Sequence, residues 1–417
     1  MTWPTVELAE IADVLRGVTY KREQARESPE DGHLPLLRAT NIGTALEIEE
    51  GLVYVPESVV RDAQRLQVDD IVLASSSGSI SVVGKSARLT HEWRGTFGAF
   101  CAVLRAKPGV FPAYLGHYIQ SDEVRKRWSN AARGTNINNL KRGDLTNTPV
   151  PLPSLDEQRR TVDLLEGHLS RLEAAGNYLS ASRRRLDGLE RSVLDAHFGG
   201  LDVPLSDLIE DISAGKSFGG ANAPAPNGEW GIIKVSAMTW GEFDPTKNKA
   251  VTSAERVDPR FEIREGDLLV SRAKTSEYVG ASVLVRHVRP RLLLSDKSLR
   301  VTPRAEVESE WLWRALQAPS ARRQISALAT GTKDSMRNIS QAALKRILLP
   351  NVSNEEQAAA LKAFNEVADA IVLLRREVEA GSHRLEALRR SLLGAAFSGR
   401  LTGASSEPSA AKEMINA

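Results

Sequence analysis

DLTNTPVPLPSLDEQ (144–158) recurs as ALKRILLPNVSNEEQ (343–357), and LERSVLDAHFGG (189–200) recurs as LRRSLLGAAFSG (388–399). Both pairs lie 199 residues apart (144 to 343, 189 to 388), and Phe198 matches Phe397. Upstream, DDIVLASSSG (69–78) parallels GDLLVSRAKT (266–275), and GTNI (134–137) parallels GTKD (331–334), both at a spacing of 197. One two-residue length difference separates the two sets. A unit of half the chain is too long for a solenoid repeat and reads as a domain followed by a helix, present twice.

Between these repeated segments the apolar residues fall seven apart. Leu165, Leu172, Leu179, Leu186 and Val193 form one seam, and Phe364, Ile371, Val378, Leu385 and Leu392 form the other, each 199 residues after its counterpart. Three residues on stand His168, Ala175, Ser182, Leu189 and Ala196, then Val367, Leu374, Gly381, Leu388 and Ala395. Five heptads predict a long coiled-coil helix in each half. Prolines block helix upstream (Pro149, Pro151, Pro153; Pro350). A capping box then opens each helix, Ser154 with Glu157 and Ser353 with Glu356, and glycines close it at Gly199, Gly200 and Gly399. A helix of roughly 40 residues extends about 60 Å. Two seams of equal length in one chain favour antiparallel pairing within the molecule; a homodimeric coil is the alternative.

The expected fold is α+β, two mixed α/β domains joined by two long antiparallel coiled-coil helices in a pseudo-two-fold duplication. The boundaries are 1–150 for the first domain and 151–199 for the first helix. The second domain spans 200–350 and the second helix 351–400, with a disordered tail over 401–417. Short β-type runs such as IVLAS, AFCAVLR, GIIKVSA and DLLVSR alternate with Gly, Ser and Asn loops, and helical stretches follow near 112–130 and 308–329.

With 417 residues, 41% of them hydrophobic and 26% charged, the chain has the composition of a globular protein. Neither a signal peptide nor a membrane span is evident, and the single cysteine, Cys101, excludes a disulfide framework, so a cytoplasmic setting is expected. The net charge of +2 says little, but its distribution says more. Arg125, Lys126, Arg127, Arg133, Lys141 and Arg142 cluster in one half; Arg314, Arg322, Arg323, Lys333, Arg337, Lys345 and Arg346 cluster at the matching place in the other.

No catalytic constellation emerges. GSISVVGKS (78–86) approaches a phosphate-binding loop but has five residues between Gly78 and Gly84 where four are required, and it reads as a serine-rich loop between strands. The seven histidines are scattered without metal-ligand spacing. Neither an amino-methyltransferase loop nor a nuclease cluster is present. The chain reads as a non-enzyme.

The half-chain duplication, the PLPSLDEQ entry, the strand and Ser/Gly loop (DDIVLASSSGSISVVGKSA; GDLLVSRAKTSEYVGAS) and the AHFGG and AAFSGRL endings together resemble the specificity subunits of type I restriction–modification systems. The resemblance spans nearly the whole chain, with one departure: LLPNVSNEEQ lacks the second proline. It implies two target-recognition domains, each reading half of a split site in double-stranded DNA, with the paired helices setting the spacer. It also implies two docked methyltransferase (M) subunits that use S-adenosylmethionine on adenine N6, and motor-nuclease (R) subunits using ATP and magnesium. This chain would then bind no cofactor and meet no membrane. The alternatives are a coiled-coil scaffold with two protein-binding heads, and a specificity subunit whose single partner both cuts and methylates.

Base reading calls for Arg, Lys, Asn, Gln or Ser/Thr on groove-facing loops, and phosphate contacts call for cations and backbone amides. The candidates in the first domain are Arg38, Thr40, Asn41, Ser75, Ser76, Ser77, Lys85, Asn136, Asn138, Asn139, Lys141 and Arg142. In the second they are Lys234, Ser236, Arg272, Lys274, Thr275, Lys297, Lys333 and Arg337. Changing Arg272 and Lys274 to alanine is expected to weaken binding to one half-site while the coil stays folded. Unchanged binding in a gel-shift titration rejects that assignment.

Overall fold

The structure is a computed structural model that describes residues 3–132, 137–217, 223–238, 241–252, 257–275, 277–331 and 337–403. The chain divides into two compact units, 1–179 with 380–417, and 180–379. The division cuts both long helices, Leu155–Phe198 and Asn354–Phe397, near their middles. Each head packs on one end of both helices, so each unit comprises a head and its share of the coil. From the expected tail, 401–403 form a turn, and 404–417 lie outside the described residues.

In the first unit a four-stranded antiparallel sheet runs Ala12–Arg16, Cys101–Ala106, Ile71–Ala74, Ser86–Arg88 in spatial order. The central IVLA strand is buried throughout. Alternate side chains point to opposite faces: Ile71 and Leu73 join a core with Leu104, Leu115 and Trp128, while Val72 and Ala74 join another with Leu37, Phe97 and Val103. A smaller sheet orders Val53–Pro56, His33–Leu37 and Thr96–Phe97, the last two parallel. The second unit repeats this arrangement with Ile209–Ala214, Ser298–Pro303, Leu268–Ser271 and Ser282–Leu284, and with Asn248–Ala250, Gly231–Ile233 and Leu292–Leu293. Equivalent registers appear in both, with Ile71 opposite Leu104 and Leu268 opposite Val301. The same ion pair supports each central strand: Asp70 with Arg105 at 2.7 Å, and Asp267 with Arg300 at 2.9 Å.

The helical stretches after the sheets are not continuous. Pro112–Ile119 and Asp122–Ala131 are separate because Ser121 caps the second, its hydroxyl accepting from the Val124 amide. Ser309–Gln317 and Pro319–Leu328 are separated by Pro319, which cannot donate to the preceding turn.

Within the first unit, Leu165 packs with Leu393 and Ala396, Gly176 faces Leu385, and Gly381 faces Leu179. One number rises as the other falls, so the pairing is antiparallel. In the second unit Phe198 meets Phe364 edge-on at 5.3 Å, and Arg375 bonds Asp187 and Glu190, each at 2.7 Å. The ten seam residues are buried or half-buried, Leu165, Leu186, Phe364 and Ile371 most deeply. The companion stripe is inward only in part. Ala175, Ser182, Val367, Gly381 and Ala395 are half-buried, whereas His168, Leu189, Ala196, Leu374 and Leu388 face solvent. Leu169, Gly176 and Leu393 also turn inward, because 3.6 residues per turn rotates a helix away from a strict heptad.

The Glu-Gln pair at each helix start has a structural role that extends beyond capping. Ser154 and Ser353 accept from the Glu157 and Glu356 amides at 3.4 and 3.3 Å. The glutamines that follow are buried. Gln158 Oε1 accepts from the Phe111 amide at 2.8 Å, and Gln357 Oε1 accepts from the Glu308 amide at 2.8 Å. Those amides belong to the residues that cap the helices Pro112–Ile119 and Ser309–Gln317. Each side-chain NH₂ donates back to the entry segment, to Pro153 O and Val352 O. The glutamine thus ties head to coil. Replacing Gln158 by leucine strands a buried amide and is expected to destabilise the first unit by about 1–3 kcal/mol. Hydrogen exchange at Phe111 should accelerate while Glu308 in the second unit is unchanged.

Candidate nucleic-acid interface

Two segments some sixty residues apart in sequence meet in each unit to form a short antiparallel ribbon. In the first, Ser76–Ser77 pairs with Asn138–Asn139, Ser77 opposite Asn138 and Ser76 opposite Asn139. In the second, Ala273–Lys274 pairs with Arg337–Asn338. The root of each ribbon is closed identically: the Leu140 amide donates to Ser75 O at 2.8 Å, and the Ile339 amide to Arg272 O at 3.0 Å. Each ribbon continues directly from the buried central strand, IVLA or LLVS, so a rigid core holds the polar residues at its end.

Of the candidates in the first unit, Ser75, Ser77 and Asn138 are half-exposed, Asn139, Lys85, Lys141 and Arg142 exposed, and Ser76 buried. The Asn138 side chain donates to Gly78 O at 3.3 Å. Lys141 and Arg142 open the short helix Arg142–Thr146 immediately after the ribbon. Arg38 and Thr40 are exposed and join Ser76 and Ser77 in lining a cleft of about 790 Å³. Lys85, Lys141 and Arg142 lie outside its lining. Asn41 corrects the sequence reading. It is 3% exposed, its Oδ1 accepting from the Arg38 amide at 2.9 Å and its Nδ2 donating to Glu50 O at 3.1 Å. A side chain so committed shapes the turn that presents Arg38 and Thr40 and has no group left to meet a base.

In the second unit, Lys234 and Ser236 are exposed on the turn Val235–Ala237, which follows the strand equivalent to the one before Arg38. Arg272 and Lys297 are exposed and joined through the backbone, the Arg272 amide donating to Lys297 O at 2.9 Å. Thr275 is half-buried, and Arg337, also half-buried, donates to Gly331 O at 3.3 Å. Lys274 stands in the ribbon strand. Asn136 and Lys333 lie outside the described residues.

The basic clusters separate into two groups. Arg125 and Arg322 occupy equivalent places and turn inward, donating to Ser81 O at 3.1 Å and to Val279 O at 2.8 Å. Burial lowers the pKa of both, that of Arg322 to about 10. Arg314 lies over the Trp313 ring at 4.0 Å. These cations tether the segment after the ribbon or pack in the core, whereas Lys141 and Arg142 face water. Sequence reasoning missed Phe100 and Ile137, which line the cleft and are 63% and 56% exposed. An apolar residue at a loop position whose counterpart in the other copy is Lys297 was the available signal.

The cysteine and the glycine-rich loop carry no site. Burial pushes the Cys101 thiol up to about 12, which keeps it protonated. The loop containing Gly84 leads into the strand Ser86–Arg88, where a phosphate-binding loop needs a helix. Among the described residues no group of three or more His, Cys, Asp or Glu could hold a metal ion, and no helix is long and apolar enough to cross a membrane.

Comparison with known proteins matches residues 1–177 to the family described as type I restriction modification DNA specificity domain. The chain is 28% identical to the EcoKI specificity subunit of Escherichia coli K12 over 96% of its length and 89% of the relative's. It is 27% identical to the StySPI specificity subunit of Salmonella potsdam, with the same coverage. A solved chain from a type I R-M system, described in terms of complex assembly and conformational transition, superposes with a TM-score of 0.72 at 18% identity, covering 96% of this chain and 98% of that one. Asn41→Ala is expected to lower stability by about 1–3 kcal/mol through the unpaired Arg38 and Glu50 backbone groups. A thermal melt should shift to lower temperature.

Proposed function

Because the chain belongs to the family of type I restriction–modification specificity subunits, we propose that its two units read the two halves of a split sequence in double-stranded DNA and that it catalyses no step itself. The observation that carries this reading is the duplicated ribbon. The same backbone device, rooted in the same buried strand, carries Ser and Asn in one unit and Ala, Lys, Arg and Asn in the other. A two-stranded ribbon fits the major groove, where each base pair shows a distinct pattern of donors and acceptors. One framework with two sets of side chains suits two different half-sites with an unread spacer between them.

The long helices would dock the partners. Leu164 and Leu388 in the first unit, and Leu189, Val372, Leu373 and Leu374 in the second, are exposed apolar residues on those helices. They support the docking of two methyltransferase subunits, which would bring S-adenosylmethionine to adenine N6. Motor-nuclease subunits would bring ATP and magnesium. This chain's share of the work is binding and orientation.

DNA affinity should fall linearly in a log–log plot against salt, because each neutralised phosphate releases counterions. Lys141→Ala with Arg142→Ala is expected to reduce that slope by about 1 for each phosphate that the two cations neutralise, leaving the preferred sequence unaltered. Methylome sequencing of the host with and without the gene should show one bipartite methylated motif that depends on it. DNA binding without any sequence preference, or none at all, would leave the protein-binding scaffold as the better account. A motif made and cut by one bifunctional partner would identify the related single-partner system.

A further inference from the structure

We propose that Phe100 is a specificity-determining residue whose ring contacts the C5-methyl group of a thymine in the half-site of the first unit, while Lys297, at the same place in the second, contacts a guanine edge. The inference rests on the reading of the ribbons as DNA-facing and adds to it a chemical identity at one position.

The equivalence of the two residues is set by the backbone. Phe100 O accepts from the amides of Ser75 and Ser76 at 2.9 and 3.1 Å, and Lys297 O accepts from the Arg272 amide at 2.9 Å. Ser75 and Arg272 each accept in turn from the residue that follows the second ribbon strand, Leu140 or Ile339. Both residues therefore stand at the ribbon root, and both immediately precede a buried strand, Cys101–Ala106 or Ser298–Pro303. Little freedom remains for the backbone at either place.

The side chains at this place differ in chemistry. Phe100 is 63% exposed and lines the cleft with Ile137, Arg38, Thr40, Ser76 and Ser77. Isolated exposed apolar residues are ordinary. Here two of them border one cleft beside the polar ribbon, and one is anchored to the ribbon's own backbone. In the major groove thymine alone presents a methyl group, which apolar side chains contact, whereas a lysine suits guanine O6 and N7. Exchanging an aromatic ring for an ammonium on an unchanged root would shift the preferred base from thymine to guanine.

The test uses the intact chain. Selection from a randomised duplex pool gives the bound sequence, and each thymine in it is then replaced singly by uracil, which removes only the methyl. For the unaltered protein, one such replacement in the first half-site is expected to weaken binding about fourfold, the weight of one buried methyl group. The same replacement should leave Phe100→Ala unaffected, and Lys297→Ala should relax preference only in the other half-site. Tolerance of uracil at every thymine, or an equal loss from Phe100→Ala on thymine and uracil duplexes, overturns the assignment while leaving bipartite reading intact. A selection that returns no preferred sequence overturns the proposed function itself.

Discussion

A buried glutamine at the start of each long helix gives both ends of its amide to the backbone, one to the entry segment and one to the first turn of a head helix. A buried polar group without partners costs stability, so this side chain permits only one placement of the head helix on the coil within its unit. The head helix covers one face of the four-stranded sheet, and that sheet continues into the ribbon. In the first unit, Tyr114 and Tyr118 extend the same joint, donating to Pro151 O and Pro149 O and meeting the Phe397 ring edge-on. The orientation of the ribbon in each unit thus follows in part from a few bonds at the helix entry.

The duplication preserves support and varies display. Ion pairs, strand registers and ribbon closures recur between the units, and so do the inward arginines that hold the segment after the ribbon. The ribbon residues do not recur: Ser76 and Ser77 correspond to Ala273 and Lys274, and Asn138 to Arg337. Core positions tolerate little change because they are close-packed. Positions beyond the core, at the end of a fixed strand, are free to differ. That separation is what a family of sequence readers built on one scaffold requires.

Counting basic residues overstates a nucleic-acid surface for a physical reason. An arginine carries five donors on a long apolar stem, so it serves equally well to tie carbonyls together inside a protein. Arg125 and Arg322 do so here while Arg314 packs on the Trp313 ring, and exposure, not number, separates them from Lys141 and Arg142.

The amino-acid order alone determined the duplicated plan, the two long helices, their capped entries and the short buried strands, because periodicity and capping are local properties of a chain. The inward places of Leu169 and Leu393 and the burial of Asn41 belonged to the tertiary structure. So did the meeting of Ser76–Ser77 with Asn138–Asn139. Each of these depends on what packs against a residue from far along the chain. An asparagine in a loop has the same letter whether its amide faces water or holds a turn, and only the folded neighbours choose between them.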